Sequence, residues 1–555
     1  MRNVLVATTA AAVALAAVTS HAADWLQFGY DANHSGTNSA ETALSKQNVA
    51  RLHLKYSLTL PGLVPGAPVL LAGVNTPEGT KDLLFLTVSD GTLLALDAAT
   101  GATQWSRYPS TSNACAQPNA SDQCTTATSP VLDPNRQFVY GYSLDGRVHK
   151  YTVADGNETT GGGWPEVVTL KPDMEQVSSA LAFATAKNGT TYLYATVSGG
   201  AWLPEDSGDY QGHVTAINLA TGTQVVFNVM CSDRGNVHFV ENNPNPPNSV
   251  QPDCLQQQMT PPGGSSSLST GNGGIWGRAG VVYDPVSDRI YVTTGNGIFG
   301  YDANNGGHNW SDSVIALPAA MDHELAAPLD SYTPSNYLDL MYYDTDLGST
   351  SVVLVPAPAG SSRTHIGIQS GKDGDLRLLD LDDMSGTGSP GNTGGQIFIG
   401  NVPQGNEVKT QPIAWTNPAT GDVMLIAVNN FGISAVRVKA DPANGNLPTL
   451  QASGAPNWVN EGTPVHGSAT STGGTSPVLA NGVLYYAGGS GVTALDPATG
   501  ATLWQDGSMG VATSTASSKF HKQSVIVVGG RLYVADNGSK LWVYEGDVIF
   551  ADGFQ

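Results

Sequence analysis

Positive charge is in short supply in this chain. Its 555 residues hold 24 Lys and Arg against 46 Asp and Glu, a formal net charge of −22. That balance argues against nucleic-acid backbones and anionic lipid as partners. It suits solubility outside the cell, or loops that attract cations or a basic redox partner. Cysteine is scarce too, with 4 residues. They lack the paired short spacing of a zinc site, and no Cys-x-x-Cys-His occurs, so no covalent c-type haem is expected. Beyond the N-terminus no run is long and apolar enough to span a bilayer. No Gly-x-Ser-x-Gly stands in a strand–turn–helix setting, so a nucleophile elbow is not expected, and helix signals are few.

Glycine and proline are plentiful, 65 and 33 residues, as in a turn-rich all-β protein. The first residues, MRNVLVATTAAAVALAAVTSHAADW, have a positive start at Arg2, an apolar stretch and a small-x-small ending at Ser20-His21-Ala22. They read as a signal peptide over 1–22, which places the product in a periplasm or outside the cell. Residues 23–555 read as one domain with long loops and a short tail, since no Pro/Ser-rich linker divides them. Export permits disulfides. Cys115, Cys124, Cys231 and Cys254 allow three pairings, of which the sequence-local one, Cys115 with Cys124 and Cys231 with Cys254, is the simplest.

Short β-type runs recur, meet a glycine turn and, in the clearest copies, close with an acidic residue and Thr-Gly: LLFLTVSDGTLLALDAATGATQW (83–105) and GVLYYAGGSGVTALDPATGATLW (482–504). Each alternates apolar and polar residues as a half-buried strand does. The Asp-Gly or Gly-Ser-Gly step reverses the chain. Eight units centre on 83–105, 138–157, 192–226, 290–317, 366–380, 424–438, 483–504 and 532–544. One such sheet cannot bury both of its faces, so the copies must pack on one another. The spacing predicts a closed eight-bladed propeller, each unit giving the middle strands of a blade. Its ends are joined by pairing 540–550 with 52–58. The excess length falls in loops at about 105–130, 228–275, 300–350 and 385–420, where a site would be covered. Asp302, Asn304 and Asp312 are spaced somewhat like a calcium loop but lack its other ligand positions; His308 reads as a loop residue.

The repeat ending Ala-Leu-Asp-x-x-Thr-Gly-x-x-x-Trp resembles the blade signature of pyrroloquinoline-quinone (PQQ) propellers, as does the opening Trp25-Leu26-Gln27-Phe28-Gly29. The resemblance implies an all-β, eight-bladed β-propeller of quinoprotein type. The fourth unit, YDPVSDRIYVTTGNGIFG (283–300), is similar to the strand of quinoprotein alcohol dehydrogenases that ends in Thr-Gly-Asn. It implies that Asn296 helps hold calcium, a hard cation served by oxygen ligands. An aspartate follows in those enzymes as the base that takes the alcohol proton. Asp344 matches it best and Asp346 is the alternative. IGIQSGKDGDLRLLD (366–380) resembles the segment whose cation contacts the quinone, which places Lys372 there. Trp276 lies near the strand whose tryptophan floors the quinone.

Two departures count against a complete site. The family's vicinal cysteine pair is missing, with Cys115 and Cys124 separated in the comparable loop. Its calcium-binding glutamate is not in place before Gly212, where Asp206, Ser207 and Asp209 stand and one of the two aspartates, Asp206 first, is the expected substitute. The resemblance therefore implies a PQQ- and calcium-dependent dehydrogenase of an alcohol or sugar, handing electrons to a separate acceptor. The rival reading is a non-catalytic propeller that binds protein or envelope polymer, because the same fold serves both.

Overall fold

Each sequence unit becomes the second and third strands of a four-stranded antiparallel sheet, because its alternating residues must cover a core on both faces. The computed structural model describes residues 24–108, 125–172, 175–199, 210–233, 272–302, 307–429, 431–460, 474–488, 491–507, 523–536 and 538–547. Blade 1 consists of Val69–Thr76, Gly79–Thr87, Leu93–Asp97 and Thr103–Arg107. Blades 2 to 7 follow with their second strands at Phe138–Ser143, Thr191–Gly199, Arg289–Thr293, Ile366–Ser370, Val423–Asn429 and Val483–Gly488. Blade 8 takes Ile526–Val528, Arg531–Ala535 and Lys540–Glu545 from the C-terminal part and His53–Thr59 from the N-terminal part. In that closure Leu58 pairs with Leu541 and Leu54 with Tyr544, so the expected junction forms and leaves no open sheet edge at the seam.

The repeat ending has a physical use. Asp97 Oδ1 accepts the backbone N–H of Ala99 at 2.8 Å, which fixes the turn before Gly101. In blade 7 the equivalent Gly500 has φ +70, and a Cβ there would lie 2.4 Å from the Trp458 ring of blade 6. Trp458 Nε1 also donates to Pro497 O at 2.9 Å. Trp105 of blade 1 does the same in blade 2, donating to Val153 O at 3.0 Å with its ring against Gly156. Glycine at this turn supplies the left-handed backbone and the flat seat for the neighbour's indole.

Around the axis a closed belt of hydrogen bonds joins every blade to the next. Ala67 N donates to Ser129 Oγ (2.7 Å), Thr128 Oγ1 to Ser179 O (2.7 Å), and Ala180 N to Arg278 O (3.1 Å). Ser351 Oγ donates to Gly280 O (3.0 Å), Ser351 N to Gln411 Oε1 (3.0 Å), and Gln411 N to Ser476 Oγ (2.9 Å). Ser476 N donates to Gln523 O (3.2 Å), and Gln523 Nε2 returns to Val64 O (2.8 Å).

The segment from Asp24 onward crosses the floor of this ring, which the sequence did not reveal. Trp25 bridges Leu70 of blade 1, Leu26 O accepts from Leu132 of blade 2, and Gln27 Oε1 accepts from Phe183 of blade 3. Ala32 O accepts from Tyr283 of blade 4, Thr37–Asn38 runs parallel to Val478–Ala480 of blade 7, and Asn38 Nδ2 donates to Val527 O of blade 8. Phe28 packs beneath Arg278, whose guanidinium lies 4.6 Å from its ring centre. Arg278 spans from blade 4 to Ser129 Oγ and Ala127 O of blade 2, closing the channel. Burial, with no carboxylate partner among the described residues, pushes its pKa down to about 9.

Candidate active site

At the opposite end from that floor, four segments of blades 4 and 5 bring their polar side chains together. The connection between these blades contains the one α-helix among the described residues, Tyr337–Tyr343. The sequence analysis did not anticipate it. Asp344 caps the helix in the left-handed conformation, φ +53, an uncommon state for a non-glycine residue that marks a constrained site. Two residues on, Asp346 is 2 % exposed. Lys372 sits on the tight turn between Ile366–Ser370 and Asp375–Asp380, and its backbone N–H donates to Asp346 O at 3.3 Å.

Lys372 Nζ lies 2.6 Å from Asp346 Oδ1 and 2.9 Å from Asp344 Oδ1. It also stands 5.0 Å from the centre of the Trp276 ring, a cation over an aromatic face. Trp276 Nε1 donates to Asp346 Oδ2 at 2.8 Å. Asn296 Nδ2 donates to Asp344 Oδ1 at 3.1 Å. The approach is close enough to require glycine: a Cβ on Gly295 would lie 2.6 Å from Asp346 Oδ2, and one on Gly348 would lie 3.0 Å from Trp276 Nε1. Tyr210 is partly buried beside the cluster, and that burial pushes the phenol up to about 12.

The charges are unequal. Burial raises the Asp346 carboxyl above its ordinary value, while Lys372 and Trp276 pull it back. Burial alone would lower the Lys372 ammonium; Asp346 and Asp344 outweigh it and hold it above the usual lysine value. Nearby Arg377 is engaged by Asp373 and, at 3.6 Å, by Asp375. Among the described residues, Lys372 is therefore the one cation in ion-pair contact with the acids of the cluster. The two sequence candidates for the base differ in kind. Asp346 has both oxygens engaged and is enclosed. The side chain of Asp344 is 71 % exposed, and its Oδ2 accepts from nothing among the described residues.

Trp276, Asn296, Asp344, Asp346 and Lys372 are thus brought together. Asp206, Cys115, Cys124 and Cys254 lie outside the described residues. Cys231 is buried and disulfide-bonded, with its partner outside them. Asn304 and the Asp302 side chain also lie outside. His308 lies in the strand Gly307–Trp310, not in a loop. The donor set suits the groups that the resemblance implies. Asn296 Oδ1 is buried without a hydrogen-bond donor, an orphan amide oxygen of the kind a hard cation takes. Lys372 beside an indole plane suits a flat anionic ring. A cavity of about 360 Å³ elsewhere, between blades 1 and 2, is lined by Leu71, Val74, Arg136 and Thr152 and holds none of these residues.

The profile of the family described as glucose/ethanol/alcohol dehydrogenase, β-propeller domain, matches residues 25–323, and that of outer membrane protein assembly factor BamB matches 443–548. Among curated proteins, the dehydrogenase subunit of a quinone alcohol dehydrogenase from Komagataeibacter europaeus is 24% identical over 357 residues, covering 61% of this chain and 43% of that protein. The chain therefore aligns with less than half the length of that relative. Among solved structures, a quinohemoprotein alcohol dehydrogenase from Pseudomonas putida HK5 superposes with a TM-score of 0.57 at 15% identity, covering 95% of this chain and 81% of that one. A europium-containing methanol dehydrogenase gives 0.54 at 16% identity, with coverages of 87% and 85%.

Proposed function

Because the chain belongs to the family of glucose/ethanol/alcohol dehydrogenase β-propeller domains, we propose that it is an exported, quinone- and calcium-dependent dehydrogenase acting on an alcohol or sugar. The observation that carries this reading is the convergence of Trp276, Asn296, Asp344, Asp346 and Lys372 from separate segments onto one cluster. When bound, the quinone supplies the two-electron acceptor for the substrate's hydride. Trp276 and Lys372 would hold it. Asn296, together with Asp206, would hold the cation.

Asp344 acts as the base. Its carboxylate has a free oxygen, stands toward solvent and is oriented by Asn296 and Lys372, so it can take the hydroxyl proton as the C–H bond breaks. Asp346 is enclosed, and its part is to anchor Lys372 and Trp276. Electrons then leave to a separate acceptor.

Calorimetry with calcium and pyrroloquinoline quinone tests the reading. Wild-type protein binds saturably, and Lys372→Ala abolishes retention. Asp344→Asn binds but does not turn over a dye-coupled alcohol, as expected when only the proton acceptor is lost. Absence of saturable binding in the wild type would hand the case to a non-catalytic propeller that binds protein or envelope polymer. The match of 443–548 to the assembly-factor family supports that alternative.

A further inference from the structure

Asp312 belongs to no motif that points to the site, yet the fold places it there at a cost. It is 0 % exposed, has φ +46, and no cation contacts it among the described residues. Its backbone N–H donates to Gly295 O at 2.9 Å, beside the glycine that makes room for Asp346 and Trp276. A left-handed non-glycine backbone and a buried carboxyl without an ionic partner both destabilise a fold. A small neutral residue would fill this position more cheaply, so the acid calls for a role.

The contacts of one peptide group supply it. The group joining Asp346 to Leu347 is gripped at both ends: Lys372 N donates to its carbonyl at 3.3 Å, and its N–H donates to Asp312 Oδ1 at 3.2 Å. Leu347 is itself 0 % exposed, so this N–H has no access to water. We propose that Asp312 is a positioning residue of the active site, acting through the Asp346–Leu347 peptide to aim the Asp346 carboxylate at Lys372 and Trp276, and that it sets the upper pH limit of that alignment. The proposal rests on reading the cluster around Lys372 as the working site.

The limit follows from charge. Asp312 Oδ2 is buried and unpartnered, and burial with Asp346 nearby keeps the carboxyl protonated far above the ordinary carboxylate range. Among the described residues, the charged and titratable groups around it are Asp346, Lys372, Arg377 and Tyr210. While Asp312 is neutral it holds the peptide without repelling Asp346. Once rising pH ionises it, a second buried anion opposes the first and the alignment loosens.

The test uses the full-length chain without cofactor and reads the indole N–H resonance of Trp276, assigned by its loss in Trp276→Phe. That proton is bonded to Asp346 Oδ2 at 2.8 Å, so displacement of Asp346 moves it upfield. Asp312→Leu, which removes the acceptor for Leu347, is expected to shift it at neutral pH, and Asp312→Asn, which keeps an acceptor, to leave it in place. Raising the pH is expected to shift it in the wild type and not in Asp312→Asn. A folded Asp312→Leu with an unmoved resonance overturns the proposal. So does an Asp312→Asn that titrates like the wild type, and this comparison decides alone if the leucine variant does not fold. Neither outcome depends on quinone binding, so failure of the dehydrogenase reading is seen separately in calorimetry.

Discussion

Replacing Lys372 by methionine should expose how much of the cluster depends on one ammonium group. The side chain keeps its length and its contact with the Trp276 ring but loses the charge that lies 2.6 Å from Asp346 Oδ1 and 2.9 Å from Asp344 Oδ1. Asp344 is open to water and loses little. Asp346 is left enclosed with only the indole N–H as partner. Breaking a buried pair by removing one member costs about 3–5 kcal/mol. The loss has a ceiling, because Asp346 can take up a proton; holding a proton on a carboxyl of ordinary pKa near 3.9 at pH 7 costs about 4 kcal/mol. With an unfolding entropy of about 2.1 cal/mol/K per residue over 555 residues, that is a fall in Tm of roughly 3–4 °C. The sign with pH is fixed. In the variant the folded chain holds a proton that the unfolded chain releases above pH ~4, so the deficit is full at neutral pH and closes toward pH 4. The lysine's own titration does not intervene, because its contribution is complete below the unfolded lysine value of about 10.4. Scanning calorimetry of both proteins from pH 4 to 8 measures this. A deficit below about 1 °C at pH 7, or one that stays constant with pH, would refute the reasoning.

Other expectations follow from other parts of the ring. His365 bridges Asp284 of blade 4 at 2.8 Å and Asp382 at 2.7 Å; its partners raise its pKa, and Asp284 is held down at about 2. Its stabilisation is full between the unfolded values of about 4 and 6.5, and is lost as pH rises through the raised histidine value or falls toward that of Asp284. Melting of His365→Gln should therefore trail the wild type by about 1–2 kcal/mol near pH 5–6 and by less at either extreme. Gly500→Ala forces a Cβ to 2.4 Å from the Trp458 ring at φ +70; a loss of about 2 kcal/mol or more in urea unfolding is expected. Peptide mapping should link Cys231 to Cys254. Reduction would remove about 3 kcal/mol in the chain-entropy picture, and a link from Cys231 to Cys115 or Cys124 would contradict local pairing.

Strands and turns were legible because they are local. Alternation along 83–105 and its Asp-Gly step leave little choice of register, and the same pattern recurs often enough to count blades. The site was legible where a motif ties a side chain to a turn, as with Asn296 after Thr293-Thr294-Gly295 and Lys372 ahead of Asp373-Gly374. The two aspartates were not separable by sequence, because what divides them is burial: Asp346 is enclosed against Gly295, and Asp344 stands at a helix end. Asp312 was out of reach for a similar reason. In sequence it offered only an incomplete calcium-loop spacing with Asp302 and Asn304, and its importance comes from Leu347, whose N–H reaches it from another segment. The floor-crossing segment after Asp24 carries no periodic pattern, since its contacts are single bonds to many blades.

That segment also bears on timing. Its partners are spread along the chain as far as Val527 and Gly530, and the strand His53–Thr59 pairs with Lys540–Glu545. A chain made from its N-terminus therefore carries its earliest residues unsatisfied until its latest ones exist. Blades 1 to 7 can each gather their own strands as they appear, but the floor and the seam must wait. Loss of the last strand would then not subtract one blade from eight. It would leave the first segment without its partners as well, so a shortened chain is expected to fail as a whole ring.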